Sequence, residues 1–245
     1  MSTARTLATT LRVLTQLRRD PRTIALLLLV PLLLLWLLEL VFDGSPGTFD
    51  RIGPALLALF PFVVMFLVTS VTTLRERASG TLERLLAMPL GKLDLLVGYG
   101  LAFGLVAVVQ ASLASALMLG PLGLDVAGPT WLLIVVAVVD AVLGCALGLF
   151  VSAFARTEFQ AVQFMPAIVL PQFLLCGLLV PREQMGSLLE AISAVLPLSY
   201  AVDAMQRLTL EPGVSGRLAR DVGLIVLAIG LALVLGAATL RRRTA

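Results

Sequence analysis

The chain has 245 residues, 59% of them hydrophobic and only 13% charged, with a mean hydropathy of +1.04 and a formal net charge of +3. Soluble domains carry about 25% charged residues, so composition excludes an ordinary water-soluble globule and makes lipid the main solvent. Histidine is absent and the two cysteines, Cys145 and Cys176, fall inside apolar runs, which argues against a metal site of ordinary type and against a disulfide.

Residues 1–21 are expected to form an interfacial amphipathic helix. At helical spacing Leu7, Leu11, Leu14 and Leu17 share one side, while Arg5, Arg12 and Arg19 share the other. Such a helix lies in the membrane interface with its arginines toward lipid headgroups. A disordered basic tail is the alternative, and the leucine spacing argues against it. Asp20-Pro21 ends the segment.

Residues 22–245 are read as one transmembrane domain. Six runs approach the roughly 20 apolar residues that a spanning helix needs: 23–42, 53–74, 95–119, 131–154, 159–180 and 222–240. They are continuously apolar, unlike barrel strands, and backbone amides in hydrocarbon need internal partners, so helices are required. The first run is too long for a signal peptide, carries Glu39 and lacks a small-residue cleavage site, so it is expected to be retained. With the N-terminus inside, thirteen Lys and Arg fall on the cytoplasmic side against five outside, namely Arg51, Arg182, Arg207, Arg217 and Arg220. The positive-inside rule then places both termini in the cytoplasm.

Between the second and third spans lies RERASGTLERLLAMPLGK, residues 75–92, with six charges. Gly80 interrupts the preceding helix, Thr81 caps a new one, and Glu83 sits in its first turn where the helix dipole favours an anion. Leu82, Leu85 and Leu86 share a face, and Pro89 stops the helix after about two turns. A helix this short needs packing partners to persist.

In the fourth span Asp140, Gly144, Gly148 and Ser152 form one stripe. Asp140 either anchors helix packing or lines a substrate path, since a mid-span carboxylate is costly against lipid. In the fifth, Gln160, Gln163 and Gln172 with Pro166 and Pro171 predict a polar, kinked helix. The outer segment 181–221 is too long for a turn and too polar for a span. Two short helices are expected there, either dipping into the outer leaflet as a re-entrant pair or lying on its surface.

The run Glu76, Gly80-Thr81, Glu83, Leu86 and Pro89-Leu90 resembles the first cytoplasmic loop of ABC-transporter permeases of the type-2 export family, which includes daunorubicin-resistance and polysaccharide-export permeases. Six spans, the interfacial helix, the re-entrant pair and Pro197-Leu198-Ser199-Tyr200 extend the resemblance over nearly the whole chain. The resemblance implies an all-α polytopic membrane protein whose coupling helix (Glu76, Gly80, Thr81, Leu82, Glu83, Leu85, Leu86 and Pro89) docks on a separate ATPase subunit. It also implies that the second and fifth spans of two subunits line a central passage, making Gln163, Gln172 and Phe173 path candidates beside Glu39 and Asp140.

No G-x-x-x-x-G-K-[ST] occurs, Gly91-Lys92 being followed by Leu93. The chain is therefore expected to be no enzyme and to bind no cofactor, ATP and Mg being held by the partner ATPase. The expected partners are ABC ATPase subunits, a second copy or paralogue of the permease, membrane lipid, and a hydrophobic or lipid-linked substrate, with no nucleic acid. The expected location is a bacterial cell membrane. A proton-coupled carrier using Asp140 and Glu39 without an ATPase is the rival reading. An intramembrane enzyme would need a catalytic constellation that a chain without histidine and with one mid-span aspartate does not offer.

Overall fold

The computed structural model describes residues 2–44, 46–79 and 92–239. Among these residues the regular structure is helical. It comprises α1 (Thr3–Arg18), α2 (Pro21–Phe42), α3 (Pro46–Ala78), α4 (Lys92–Leu119), α5 (Thr130–Ser152), α6 (Glu158–Leu175), a 3-10 turn at Arg182–Gln184, α7 (Ser187–Ser193), α8 (Pro197–Leu210) and α9 (Gly216–Thr239).

Five helices, α2, α3, α4, α5 and α9, are long and apolar enough to cross a membrane unaided. The fifth expected span is shorter than the sequence suggested. It is helical only from Glu158 to Leu175, because Gly177 takes a φ of 93°, where side-chain-bearing residues rarely go. Its three glutamines also keep it out of the clearly apolar set. Its ends nonetheless lie at opposite ends of the bundle. Glu158 bonds Arg75 at the end of α3, whereas Leu175 and Gln172 meet the α7–α8 segment, whose C-terminal end hydrogen-bonds the 120–129 loop through Gly128 and Leu208. The chain thus traverses the bundle a sixth time.

The core is the contact between α3 and α5. Gly144 and Gly148 leave no side chain between the helices, and a Cβ added there would sit 2.4 and 2.5 Å from the carbonyl oxygens of Phe62 and Phe66. This close approach follows the small-xxx-small rule for membrane helices, whose association gains little from the hydrophobic effect. At 33 residues α3 is about 50 Å long. It overshoots a hydrocarbon core of about 30 Å and runs beyond the expected 53–74 at both ends.

The outer pair is bent by 89° between α7 and α8, and its halves differ. Along α8 the small residues Ser199, Ala201 and Ala204 are buried with Leu198, Met205 and Leu208, so this helix is built into the bundle. On α7, Leu188 and the following Val195 stay 73% and 81% exposed. The bend is stitched by the 197–200 element. Pro197 opens α8, Ser199 pairs with Ser193 at 3.2 Å, and the Tyr200 hydroxyl donates to the Ala194 carbonyl at 2.6 Å.

Candidate functional site

The ends of α3 and α4 frame residues 80–91, which lie outside the described residues together with the expected coupling positions Gly80, Thr81, Leu82, Glu83, Leu85, Leu86 and Pro89. What is described is the junction that holds both flanks. Glu76, two residues before the end of α3, is only 3% exposed. One of its carboxylate oxygens accepts from Arg12 of α1 at 2.7 Å and from the Tyr99 hydroxyl of α4. Arg12 donates to the same hydroxyl at 2.7 Å, and its guanidinium lies 5.6 Å from the Tyr99 ring centroid. Three helices are therefore pinned by one ion pair and one phenol.

Glu76 was expected on the docking face; the structure turns its side chain into the bundle. Arg12, expected to point at headgroups, is about a third exposed and spends its charge on Glu76. Arg5 and Arg19 remain exposed. The physical reason is desolvation: a buried carboxylate at the end of α3 requires a cation, and Arg12 is the one that α1 presents there.

The docking of α1 uses a face that the leucine count concealed. Thr6, Thr9, Thr10 and Val13 are buried, while Leu7 and Leu11 are more than half exposed. Thr10 donates to the Gly98 carbonyl at 3.1 Å. Gly98 has no room for a side chain, since a Cβ would come within 2.6 Å of Thr9. The Ser2 amide bonds Asp94 at 3.0 Å. Alternation of Thr with Leu and Arg was a three-face signal, and counting only leucine against arginine missed it.

At the other end a cleft of about 910 Å³ collects all five arginines assigned to the outside, Arg51, Arg182, Arg207, Arg217 and Arg220. Arg182 pairs with Asp203 at 2.6 Å and stacks over Tyr200. The fully buried Asp221 holds Arg220 at 3.0 Å and Arg207 at 3.6 Å.

The remaining candidates separate. Asp140 is fully buried, and neither carboxylate oxygen has a hydrogen-bond partner among the described residues. It stands one turn from Gly144 in the helix that packs on α3, and it lines neither that cleft nor the smaller cavity at the inner end. Gln172 is buried, donating to Ile168 and accepting from the Leu198 amide at 3.3 Å, so it anchors α8 to α6. Gln163 is exposed on the outer face of α6, and Phe173 and Glu39 are half-buried. A polar residue that the sequence reading passed over, Gln110, ties α4 to α2 through the Leu27 carbonyl at 2.9 Å.

The model of the ABC-2 type transporter family matches residues 5–210. Among curated proteins the chain is similar to the probable multidrug ABC transporter permease YbhR of Escherichia coli, 27% identical over 158 residues, or 64% of this chain and 43% of that protein. The inner membrane transport permease YhhJ of the same organism is 28% identical over 145 residues, covering 59% of this chain and 39% of YhhJ. ABC transporter G family member 20 of Dictyostelium discoideum is 25% identical over 170 residues, 69% of this chain and 23% of that protein. The chain thus spans less than half the length of these relatives.

Proposed function

We propose, from the premise that this chain belongs to the ABC-2 type transporter family, that it is the membrane-spanning permease subunit of an ATP-driven exporter. Two copies, or one copy and a paralogue, pair with separate ATPase subunits in a bacterial cell membrane. They move an amphiphilic, drug-like or lipid-linked substrate out of the cytoplasm or inner leaflet. The naming of YbhR as a probable multidrug permease supports that substrate class.

The observation that carries the reading is the junction of Arg12, Glu76 and Tyr99. The two strands of chain that enter and leave residues 80–91 are locked to each other and to α1. A force applied to that loop then moves α3, α4 and α1 as one body, which a ligand-driven switch requires. A coupling helix at 81–88 is the proposed point of application, with Leu82, Leu85 and Leu86 set in a groove of the ATPase. Burial of three leucines contributes roughly 1.5–3 kcal/mol each before association costs. Reversing a 1:99 equilibrium takes about 5.5 kcal/mol, so a contact of this size is sufficient.

The second copy is proposed to cover the outer face of α6. Gln163 is exposed there among Phe159, Val162 and Leu170, and an amide facing hydrocarbon is expensive. Glu83→Lys combined with Leu86→Asp is expected to leave the membrane domain monodisperse in detergent while abolishing recovery of the co-expressed ATPase. Undiminished ATPase recovery would refute the coupling assignment. Substrate movement by the purified chain alone, stopped by a protonophore and indifferent to ATP, would instead favour the rival proton-coupled carrier using the buried Asp140 and the half-buried Glu39.

A further inference from the structure

The inner end also contains a small cavity, about 240 Å³, lined by Leu14, Leu17 and Arg18 of α1, Ile24, Leu27 and Leu28 of α2, and Leu105, Val106 and Val109 of α4. Its walls are aliphatic, and Arg18 is the one charged residue among them. Ile24 to Leu28 form the opening turns of the first span, so the cavity lies where lipid headgroups give way to acyl chains. Leu105 and Val109 are about half exposed and continue its wall along the lipid-facing side of α4.

Arg18 lines the cavity, and Arg19 and Arg22 follow it along the α1–α2 turn. Arg18, Arg19 and Arg22 are all exposed, and none forms an ion pair among the described residues. The nearest acid in sequence, Asp20, is occupied by its own helix. Its two carboxylate oxygens accept from the Thr23 amide at 3.1 Å and the Thr23 hydroxyl at 2.6 Å, capping α2. Arg75, which lies close enough to act on Asp20, is itself held by Glu158.

We infer that this cavity binds a phospholipid of the cytoplasmic leaflet with net negative charge. Part of one acyl chain fills the cleft between α1, α2 and α4, and the phosphate is held by Arg18, Arg19 and Arg22. Guanidinium groups suit this role because their forked donors match phosphate oxygens. Such a lipid would fasten the hinge between α1 and α2, next to the Arg12–Glu76–Tyr99 junction. The inference does not depend on the ATPase reading.

The test uses the full chain in vesicles, with Val106→Trp as a reporter in a Trp36→Phe, Trp131→Phe background. Lipids with brominated acyl chains, phosphatidylglycerol or phosphatidylcholine, serve as contact quenchers. Basic residues at an anionic surface are worth roughly five-fold in affinity each, so the reporter should prefer brominated phosphatidylglycerol by at least that factor. In a parallel measurement on the unsubstituted chain, the native Trp36 and Trp131, both exposed on other parts of the surface, should show little preference. Replacing Arg18, Arg19 and Arg22 with Gln should bring the reporter to their level, and high salt should weaken the preference. Equal quenching by both lipids at position 106, or a preference unchanged by the arginine substitutions, overturns the inference. Val109→Trp, at the exposed rim, serves as reporter where the Val106 variant does not fold.

Discussion

Arg12 meets Glu76 at 2.7 Å at the inner end, and Arg182 meets Asp203 at 2.6 Å at the outer end. The chemistry is the same and the settings are opposite. The inner pair has Glu76 sealed at 3% exposure among α1, α3 and α4, whereas the outer pair faces a cleft of about 910 Å³ shared with three further arginine–carboxylate contacts. A charge cut off from water depends wholly on its partner, but a charge at the wall of a wet cleft is rescued by solvent when its partner goes. The Arg12–Glu76 pair therefore depends on its own partners more than the Arg182–Asp203 pair does.

The sharpest way to break this contrast is Glu76→Gln. Removing one member of a buried pair costs about 3–5 kcal/mol, and with Arg12 partly solvated the lower figure, about 3 kcal/mol, is expected. Thermal unfolding in detergent measures it, and a loss below that of the outer-end variants would erase the distinction. Gly98→Val comes next. The added carbons collide with Thr9, and overpacking of this kind costs about 1–3 kcal/mol. It should release α1 and raise its susceptibility to protease while leaving the spans intact.

At the outer end Asp203→Asn should cost only about 1 kcal/mol, since Asp203 and Arg182 both line the cleft and the freed guanidinium turns to its water. Arg75→Gln, which severs an exposed pair with Glu158, should change stability in the same unfolding experiment by about 0–1 kcal/mol, and less in high salt. The smallest effect concerns acid. The Thr23 hydroxyl and amide hold the Asp20 carboxyl below its ordinary range. With the folded value below the unfolded one, its contribution is complete above the ordinary carboxylate range and vanishes as pH falls through the folded value. Asp20→Asn keeps the cap but should flatten that part of the acid unfolding curve.

Much of the architecture was legible in residue order. The apolar runs, the 159–180 segment weakened by glutamine and proline, and the bend at Pro197 are properties of neighbouring residues. Hydropathy and helix-breaking act locally, so they can be read along the chain. The candidate site was legible only in part. Glu76 stands out in the sequence as part of the charged 75–92 stretch, yet its burial was invisible because the residues that enclose it lie 64 and 23 positions away. Gln172 read as a path residue because its partner, the Leu198 amide, is supplied by a helix 26 residues further on.

By itself, the sequence determined that this is an all-helical membrane protein and which runs are apolar enough to span, because each follows from the free energy of moving a short segment between water and hydrocarbon. Tertiary structure alone decided that threonine rather than leucine joins α1 to α4, that Arg12 serves Glu76 rather than a headgroup, and that five scattered arginines gather in one cleft. Those outcomes depend on close approach between distant helices, where a missing Cβ or a desolvated charge outweighs the preference of any single residue.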